Sequence, residues 1–267
     1  MDFERVRAEL QKLEGNIGVF IEAGDGSKLQ INADAPIEAA SVIKLPIMGA
    51  VFEAAQAHRL SLDEMVETRA EEMMPGCGVL TRMHAGLRVT VRDLVVLMII
   101  VSDNTATNRL IDLVGMDTVN GFIDRQGLRG TRLRRKLFDE KLAARGIQNT
   151  VTAMDMGLLL RRILDGTLVS PEASGEMLDI LSCQQLNGKI PFYLSYNLDR
   201  KEPISPDIDC AHKTGEDTGI THDVGILFTD RPSIFCFLSE QTDVQKTLRA
   251  IQKTAGIVAY PERTDFA

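Results

Sequence analysis

Two side chains that could carry out acyl transfer stand three positions apart near the start of an otherwise apolar segment. The segment, residues 38–55, reads EAASVIKLPIMGAVFEAA, and the two groups are the hydroxyl of Ser41 and the amine of Lys44. Its pattern predicts a helix, on which positions i and i+3 share one face, so the two groups can touch. A serine is a weak nucleophile until a base takes its proton, and a lysine whose pKa is lowered by burial can be that base. The pair therefore predicts a nucleophile with its own base.

The place of Ser41 at the start of this helix adds a second catalytic group. The first N–H groups of a helix have no partner within it, so the N–H of Ser41 can donate to the oxygen of an attacked carbonyl and form half of an oxyanion hole. By itself the S-x-x-K spacing is weak evidence, because a capping serine beside a lysine that reaches solvent is the more frequent explanation. The hypothesis depends on what else the chain carries.

Ser102, Asp103 and Asn104 form a second polar group, placed between two segments with helical patterns. One explanation is structural, since serine, aspartate and asparagine are all favoured at the start of a helix. The functional alternative gives each residue a role. The Ser102 hydroxyl would relay a proton to a leaving nitrogen, the Asn104 amide would hold a substrate carbonyl and the lysine, and Asp103 would face inward and fix the turn.

Lys213, Thr214 and Gly215 lie on a predicted strand. An ordinary exposed strand would explain them, and the functional alternative is the edge of a sheet along one wall of a crevice. There Lys213 would lower neighbouring pKa values and attract a carboxylate, and Thr214 would hydrogen-bond that carboxylate. Gly215 would let a substrate approach the backbone closely. The backbone N–H of Glu216 would then be the second oxyanion donor.

Strand patterns lie at both ends of the chain, and helical patterns fill its middle. A first helix and a hairpin precede the Ser41 segment, while three strands from about residue 207 and a last helix close the chain. The predicted fold is α/β (α+β): a single domain over residues 1–267 whose antiparallel sheet comes from both termini, about residues 1–40 and 206–267, and is flanked by helices. An all-helical lobe is inserted between about residues 45 and 205. A pocket is expected in the crevice between the two lobes.

Three capping patterns predict where helices begin. SLDE, starting at Ser61, has the form of a capping box. TVRD, starting at Thr90, predicts the cap of a second helix, and Ser170 precedes a proline that suits the first turn of a third. The Thr90 pattern leads into a segment that is apolar nearly all round, so we expect a helix buried on every side there.

Composition excludes several classes of protein. The net charge is −8 and the pI is about 5.1, which argues against a surface that binds nucleic acid. No apolar run is long enough to cross a membrane, and the first residues do not have the pattern of a signal peptide. The sequence therefore predicts a cytoplasmic protein, with a secreted or periplasmic form whose signal was removed as the alternative.

Four separated cysteines without a CxxC motif predict free thiols, and four histidines without HExxH predict no metal site.

Taken together and in this order, the three motifs resemble those of the class A β-lactamases and of the wider penicillin-binding, serine-active-site superfamily. The likeness extends over nearly the whole chain. The block SDNTATNRLIDLVG continues the second motif, and TRL at residues 131–133 is similar to the entrance of the family's Ω-loop. The resemblance implies a β-lactamase/transpeptidase-like fold and an acyl-enzyme mechanism. Ser41 would be the acylated nucleophile, Lys44 its general base or proton relay, and Ser102 the proton donor to the leaving nitrogen.

The same resemblance assigns substrate binding to the other motif residues. Lys213 and Thr214 would bind the carboxylate of the substrate, and Asn104 its amide side chain. The expected partner is therefore a small molecule, a β-lactam or a related amide or ester, and neither a cofactor nor a metal is implied.

The chain departs from the family in its Ω-loop. Class A β-lactamases carry a glutamate there, within E-x-x-L-N, which activates the water that hydrolyses the acyl-enzyme. With TRL held in register, Leu137 falls on the place of that glutamate, and Asp139 and Glu140 follow as candidate replacement bases. Acylation is therefore expected and fast deacylation is not. The later segment THDVGI lacks the family's common arginine. We predict a structural contact between its His222 and Asp223, with a place on the rim of the site as the alternative.

Three functional hypotheses follow. The first is a serine hydrolase of the β-lactamase kind. The second is a penicillin-binding or sensor-like protein, or a D-alanyl peptidase or esterase, that acylates but deacylates slowly. The third is a descendant without catalysis, which the intact set of motif residues disfavours.

Overall fold

The structure is a computed structural model that describes residues 1, 3–194, 210–264 and 266. Within these residues the α-helices are α1 (Glu4–Leu10), α2 (Lys44–Gln56), α3 (Val91–Ile100), α4 (Asn104–Val114), α5 (Met116–Arg125), α6 (Glu140–Ala143), α7 (Ala153–Leu164), α8 (Pro171–Ser182) and α9 (Val244–Ala259). The strands are β1 (Asn16–Glu22), β2 (Lys28–Ile31), β3 (Ile37–Glu38), β4 (Met65–Glu67), β5 (Arg88–Thr90), β6 (Thr150–Val151), β7 (Cys210–Asp217), β8 (Ile220–Leu227) and β9 (Ser233–Glu240).

The main sheet joins the two ends of the chain. Its five strands lie in the order β2-β1-β9-β8-β7, and every neighbouring pair is antiparallel. Strand β1, from the start of the chain, pairs with β9, from its end, with Val19 opposite Phe237. The predicted mixed α and β fold with an antiparallel sheet from both termini is confirmed. Strand β7, which carries the third motif, forms an edge of this sheet.

Both faces of the sheet are covered by helices. On the outer face, α1 and α9 bury alternate side chains of the central strands, including Ile21 and Phe235. On the inner face, α7 packs on β1 so closely that a Cβ at Gly157 would lie 2.3 Å from the ring of Phe20. Each fully buried apolar side chain contributes roughly 1.5–3 kcal/mol to stability. The inner core continues into α2, which is buried from Lys44 to Phe52.

The Thr90 prediction describes the start of α3 correctly. The N–H of Asp93 donates to Thr90 Oγ1 at 3.0 Å, and the N–H of Thr90 donates to Asp93 Oδ2 at 2.8 Å. This capping box begins a helix whose far end leads into Ser102. Ser170 likewise caps α8, with Pro171 in its first turn.

The Ser61 prediction was wrong. Residues 61–64 form a turn, in which Ser61 Oγ accepts from the N–H of Asp63, and the chain then enters β4 instead of a helix. Strand β4 pairs with β5, with Val66 opposite Val89. A tertiary strand pairing has thus overridden a local capping signal. Because β4 and β5 lie inside the interval predicted to be all helical, that interval is not purely helical.

The first motif also begins differently from the prediction. Residues Ala40–Ile43 form a 3₁₀ turn, and α2 starts only at Lys44. Two contacts hold the residues just before this turn. Strand β3 pairs with β6, and the N–H of Ala39 donates to Asn149 O at 2.8 Å. The predicted boundary near residues 205–207 lies outside the described residues. Among the helices of the described ranges, none has the length and apolar character that a membrane span requires.

Candidate active site

The 3₁₀ turn brings Ser41 and Lys44 into direct contact. A 3₁₀ helix has three residues per turn, so positions i and i+3 lie directly above one another. The Nζ of Lys44 is 3.0 Å from the Oγ of Ser41. Ala40, just before the serine, has a φ of 41°, a left-handed conformation that costs energy for a residue with a side chain. The surrounding packing therefore holds the turn in a shape that it would not adopt alone.

Lys44 is completely buried and surrounded by oxygen atoms. Besides Ser41, its Nζ contacts the backbone O of Ser102 at 2.8 Å, the Oγ of Ser102 at 2.9 Å and the Oδ1 of Asn104 at 2.9 Å. Burial, and secondarily the nearby Lys213, hold the pKa of Lys44 well below its ordinary value. An uncharged amine has two hydrogens and one lone pair. The Ser102 carbonyl and the Asn104 amide oxygen can accept the hydrogens, which leaves the lone pair for a hydroxyl proton.

Ser102 lies between two lysines. Its Oγ is 2.9 Å from the Nζ of Lys44 and 3.1 Å from the Nζ of Lys213. The residue has a φ of 55°, again left-handed and strained, at the end of the turn between α3 and α4. Burial lowers the pKa of Lys213 to about 7, although Asp223 opposes that shift. The hydroxyl therefore bridges two buried amines, and burial lowers the pKa of both.

Asp103 fixes the turn that presents Ser102. Its carboxylate accepts from the N–H groups of Val79 at 2.7 Å, Leu80 at 2.9 Å and Ala106 at 2.9 Å, and it is 1% exposed. It thus faces inward, caps α4, and ties the second motif to the loop that precedes it.

Asn104 connects the lysine to that loop. Its side-chain nitrogen donates to Pro75 O at 3.0 Å, and its backbone N–H donates to Cys77 O at 3.1 Å. The second hydrogen of the side-chain nitrogen is available, because an amide carries two. Asn104 and Cys77 both line the cavity described below.

Strand β7 brings the third motif against the Ser41 turn. Lys213 and Thr214 are buried, and a Cβ at position 215 would lie 3.0 Å from His222 Cδ2 and 3.1 Å from Val42 Cγ2. The absence of a side chain at Gly215 therefore lets the strand lie close to the turn that carries Ser41. This packing contact is a structural reason for glycine at position 215, in addition to the predicted close approach of a substrate.

A cavity of about 330 Å³ opens over Ser41. Five carboxylates and one arginine are among the side chains around it. Its lining residues are Glu38, Ala40, Ser41, Gly76, Cys77, Asn104, Arg135, Leu137, Phe138, Asp139, Glu140, Ala143, Asn149, Glu216 and Asp217. A larger cavity of about 760 Å³ lies between the β1–β2 turn and the end of α9, but none of the motif residues lines it. We therefore place the chemistry in the smaller cavity.

Leu137 lies in the wall of this cavity. Asn108 holds its backbone from both sides: the amide nitrogen donates to Leu137 O and the amide oxygen accepts from Leu137 N, each at 2.9 Å. Asp139 caps α6 by accepting from the N–H of Leu142 at 3.0 Å, and Glu140 begins that helix. Both carboxylates reach the cavity. In the described part of the chain, neither hydrogen-bonds to Ser41 or Lys44.

The expectations for His222 and Asp223 were wrong. Both side chains are fully buried, so neither forms a rim, and they do not pair with each other. Consecutive residues of a strand point to opposite faces, which sends them to different partners. Asp223 pairs with His212 at 2.9 Å and accepts from the N–H of Ile190 at 3.0 Å. His222 Nδ1 accepts from the N–H of Ser239, and its Nε2 donates to the backbone O of Glu38 at 2.8 Å. Burial lowers the pKa of His222 to about 4, so the ring is neutral.

Two residues of the site were missed in the sequence. Asn108 follows Asn104 by four positions, and this helical spacing within SDNTATN could have identified it. Lys189 is buried below the third motif and carries no local signal, since it lies far from that motif in the chain. Within the described residues, no group of three or more His, Cys, Asp or Glu side chains could hold a metal ion, and the four cysteines are free.

Known proteins resemble this chain over most of its length. The family described as "Beta-lactamase enzyme family" (Beta-lactamase2) matches residues 3–260. The sequence is 31% identical to "Beta-lactamase" from Rhodobacter capsulatus over 172 residues, which are 62% of this chain and 58% of that protein. It is 31% identical to "Beta-lactamase L2" from Stenotrophomonas maltophilia over 183 residues, 67% of this chain and 57% of that protein. The chain thus spans less than two thirds of the length of these curated relatives.

Solved structures resemble it over nearly the whole chain. A beta-lactamase from Sphaerobacter thermophilus DSM 20745 is 34% identical, with a TM-score of 0.88 over 99% of this chain and 100% of that one. The structure of PBP-A is 25% identical, with a TM-score of 0.81 over 97% of this chain and 96% of that one. A leucine-to-glutamate variant of PBP-A, in an acyl-enzyme complex with penicillin G, matches with the same identity and TM-score, over 97% of this chain and 94% of that one.

Proposed function

Because this chain belongs to the beta-lactamase enzyme family, we propose that it is a serine hydrolase that forms an acyl-enzyme on Ser41 with a β-lactam or a related amide or ester. The observation that carries the proposal is the contact of Ser41 Oγ with the buried amine of Lys44, at 3.0 Å. Since burial lowers the pKa of that amine and so favours its uncharged form, the amine can accept the hydroxyl proton.

In the first step Ser41 Oγ attacks the carbonyl carbon while its proton moves to Lys44 Nζ. A C–O bond forms, and the π-electron pair of the carbonyl moves onto its oxygen. The backbone N–H groups of Ser41 and Glu216, both of which line the cavity, would donate to this oxyanion.

In the second step the tetrahedral intermediate collapses and the C–N bond breaks. The leaving nitrogen needs a proton, and Ser102 Oγ lies 2.9 Å from the protonated donor, Lys44. Ser102 can give its proton to the nitrogen and take one from the lysine, which returns that amine to its neutral form. The product of this step is an ester on Ser41.

Substrate binding falls to the third motif and to Asn104. Below about pH 7 Lys213 carries a charge that attracts a carboxylate, and the Thr214 hydroxyl can donate to the same group. Asn104, with one amide hydrogen available, would hold the amide side chain of the substrate. The substrate is then a small molecule that carries a carboxylate next to its scissile amide.

Deacylation requires a base that activates a water molecule. We propose Asp139 or Glu140 for this role, because both line the cavity that contains Ser41. The apolar wall at Leu137 supports a second candidate function, a penicillin-binding or sensor-like protein, or a D-alanyl peptidase or esterase, whose acyl-enzyme persists. The two candidates share every step up to the ester on Ser41 and differ only in its lifetime.

One experiment separates these candidates. The pure protein is mixed with a chromogenic cephalosporin, and both absorbance and intact mass are followed. Sustained colour change supports the hydrolase, and a single stoichiometric burst with a stable adduct supports the penicillin-binding function. If neither colour nor adduct forms with the cephalosporin or with an activated ester such as p-nitrophenyl acetate, the proposed acyl-enzyme on Ser41 is wrong.

A further inference from the structure

Lys189 is a buried cation that the steps above do not use. It is 3% exposed and lies just before the 3₁₀ turn Ile190–Phe192. Its Nζ donates to Gly215 O at 3.0 Å and to His222 O at 2.9 Å, and it lies 3.2 Å from Glu216 Oε1. Three oxygens therefore meet the three hydrogens of one ammonium group. Burying a charged group costs free energy unless hydrogen bonds and an opposite charge compensate it. The three oxygens around the Lys189 ammonium provide that compensation.

The carbonyl groups of Gly215 and His222 show where the Lys189 ammonium lies in the sheet. Gly215 on β7 and His222 on β8 are directly opposite each other in the ladder. Since one Nζ touches both carbonyl oxygens, the carbonyl of Gly215 faces the β8 side of β7. The other side of β7 is the open edge of the sheet, next to the cavity.

The carbonyl of Gly215 and the N–H of Glu216 belong to the same peptide group. A trans peptide group is planar, and its C=O and N–H bonds point in opposite directions. With its carbonyl on the β8 side, in the ladder, this peptide group directs the N–H of Glu216 to the open edge, where Glu216 lines the cavity, and the cation bound to the carbonyl helps to hold it there. The same cation withdraws electron density through the amide, which makes the N–H a stronger hydrogen-bond donor.

We propose that Lys189 is a positioning residue for acyl transfer, holding and polarising the peptide group whose N–H is the second oxyanion donor. This inference rests on the proposed acylation of Ser41. Lys189 touches neither the substrate nor the reacting atoms, and it acts only through the Gly215–Glu216 peptide group. Its loss should therefore slow the formation of the tetrahedral intermediate and leave the initial binding of the substrate unchanged.

The test compares Lys189→Met with the wild type in stopped-flow acylation by a chromogenic cephalosporin. Methionine has a similar length and no charge, so it removes the ammonium with little change in volume. Removal of a whole oxyanion donor costs about 10²–10³-fold in rate, and here the donor remains but is less well held. We expect the first-order acylation rate to fall about 10- to 100-fold, with the substrate dissociation constant within about twofold of wild type.

Two variants and a second ligand serve as controls. Lys189→Arg keeps a cation that can reach both carbonyls and should recover part of the rate. Lys246→Met removes an exposed lysine on α9 that does not line the cavity, and this variant should acylate like the wild type. Phenylboronic acid forms a tetrahedral adduct with an active serine and so uses the oxyanion hole. Its inhibition constant should rise about tenfold in Lys189→Met, because the donor is weaker.

A folded Lys189→Met protein that acylates at the wild-type rate would overturn the proposal, as would a loss confined to the substrate dissociation constant. Circular dichroism and the melting temperature establish whether each variant is folded. If Lys189→Met does not fold, Lys189→Gln, which keeps one donor group, is compared in the same way. A wild type that forms no adduct at all would instead contradict the proposed function, so the two failures are distinguishable.

Discussion

Raising the pH through 7 should switch off the capture of substrates that carry a carboxylate, because it removes the charge of Lys213. This lysine is fully buried, with its Nζ 3.1 Å from Ser102 Oγ and 2.8 Å from Thr214 O. Burial disfavours its charged form and lowers its pKa to about 7, against the opposing effect of Asp223. The direction follows: the free protein has a charged Lys213 below about pH 7 and a neutral one above it.

The size of the effect follows from the titration. Above its pKa, the charged fraction of a group falls about tenfold for each pH unit. The second-order constant for acylation by a β-lactam depends on the free protein, in which about half of Lys213 is charged at pH 7. This constant should therefore be about 50-fold lower at pH 9 than at pH 7. At saturating substrate the dependence should be weaker, because the bound carboxylate favours the charged form of Lys213.

The assay is stopped-flow acylation between pH 6 and 9.5 with a chromogenic cephalosporin. p-Nitrophenyl acetate, which has no carboxylate, is the matched substrate and should show no such decrease. Lys213→Arg is the matched variant. Because a guanidinium group stays charged throughout this pH range, the acylation constant of this variant should not fall as the pH rises. A wild-type profile that is flat to pH 9, or an equal decrease in Lys213→Arg, would refute the reasoning.

Three further predictions concern the same cavity. Ser41→Ala should lose adduct formation by at least about 10³-fold with an unchanged melting temperature, and wild-type turnover would contradict the nucleophile. Leu137→Glu should speed hydrolysis of the acyl-enzyme at least about tenfold by adding a general base, and Leu137→Gln, the uncharged control, should not. Five carboxylates and one arginine line the cavity, so ampicillin should acylate faster than carbenicillin at low salt, and a reversed order would refute this electrostatic argument.

The sequence alone determined the fold class and the identity of the three motifs. The sheet from both termini could be predicted because alternating and helical patterns are local properties, and because strands at the two ends must pair to be buried. The capping box at Thr90 is equally local, since it involves residues only three positions apart. Leu137 could be placed from the register of TRL, and the structure finds it in the wall of the cavity.

Other features depend on contacts between distant parts of the chain, which no local pattern encodes. The SLDE pattern at Ser61 predicted a helix, but the chain there leads into a strand that pairs with β5. His222 and Asp223 are neighbours in sequence, yet the alternation of the strand sends them to opposite faces. Lys189 has no signal at all, because its partners belong to strands that follow much later in the chain.

The chemistry of the site also belongs to the tertiary structure. The S-x-x-K spacing allowed Ser41 and Lys44 to meet, but the spacing leaves the charge of the lysine undetermined. That charge is set by complete burial and by Lys213, a residue far away in sequence that β7 brings close. Whether an amine is a base or a cation depends on the dielectric and charges around it. The sequence therefore determined which groups are present, and only the packed structure decided their protonation.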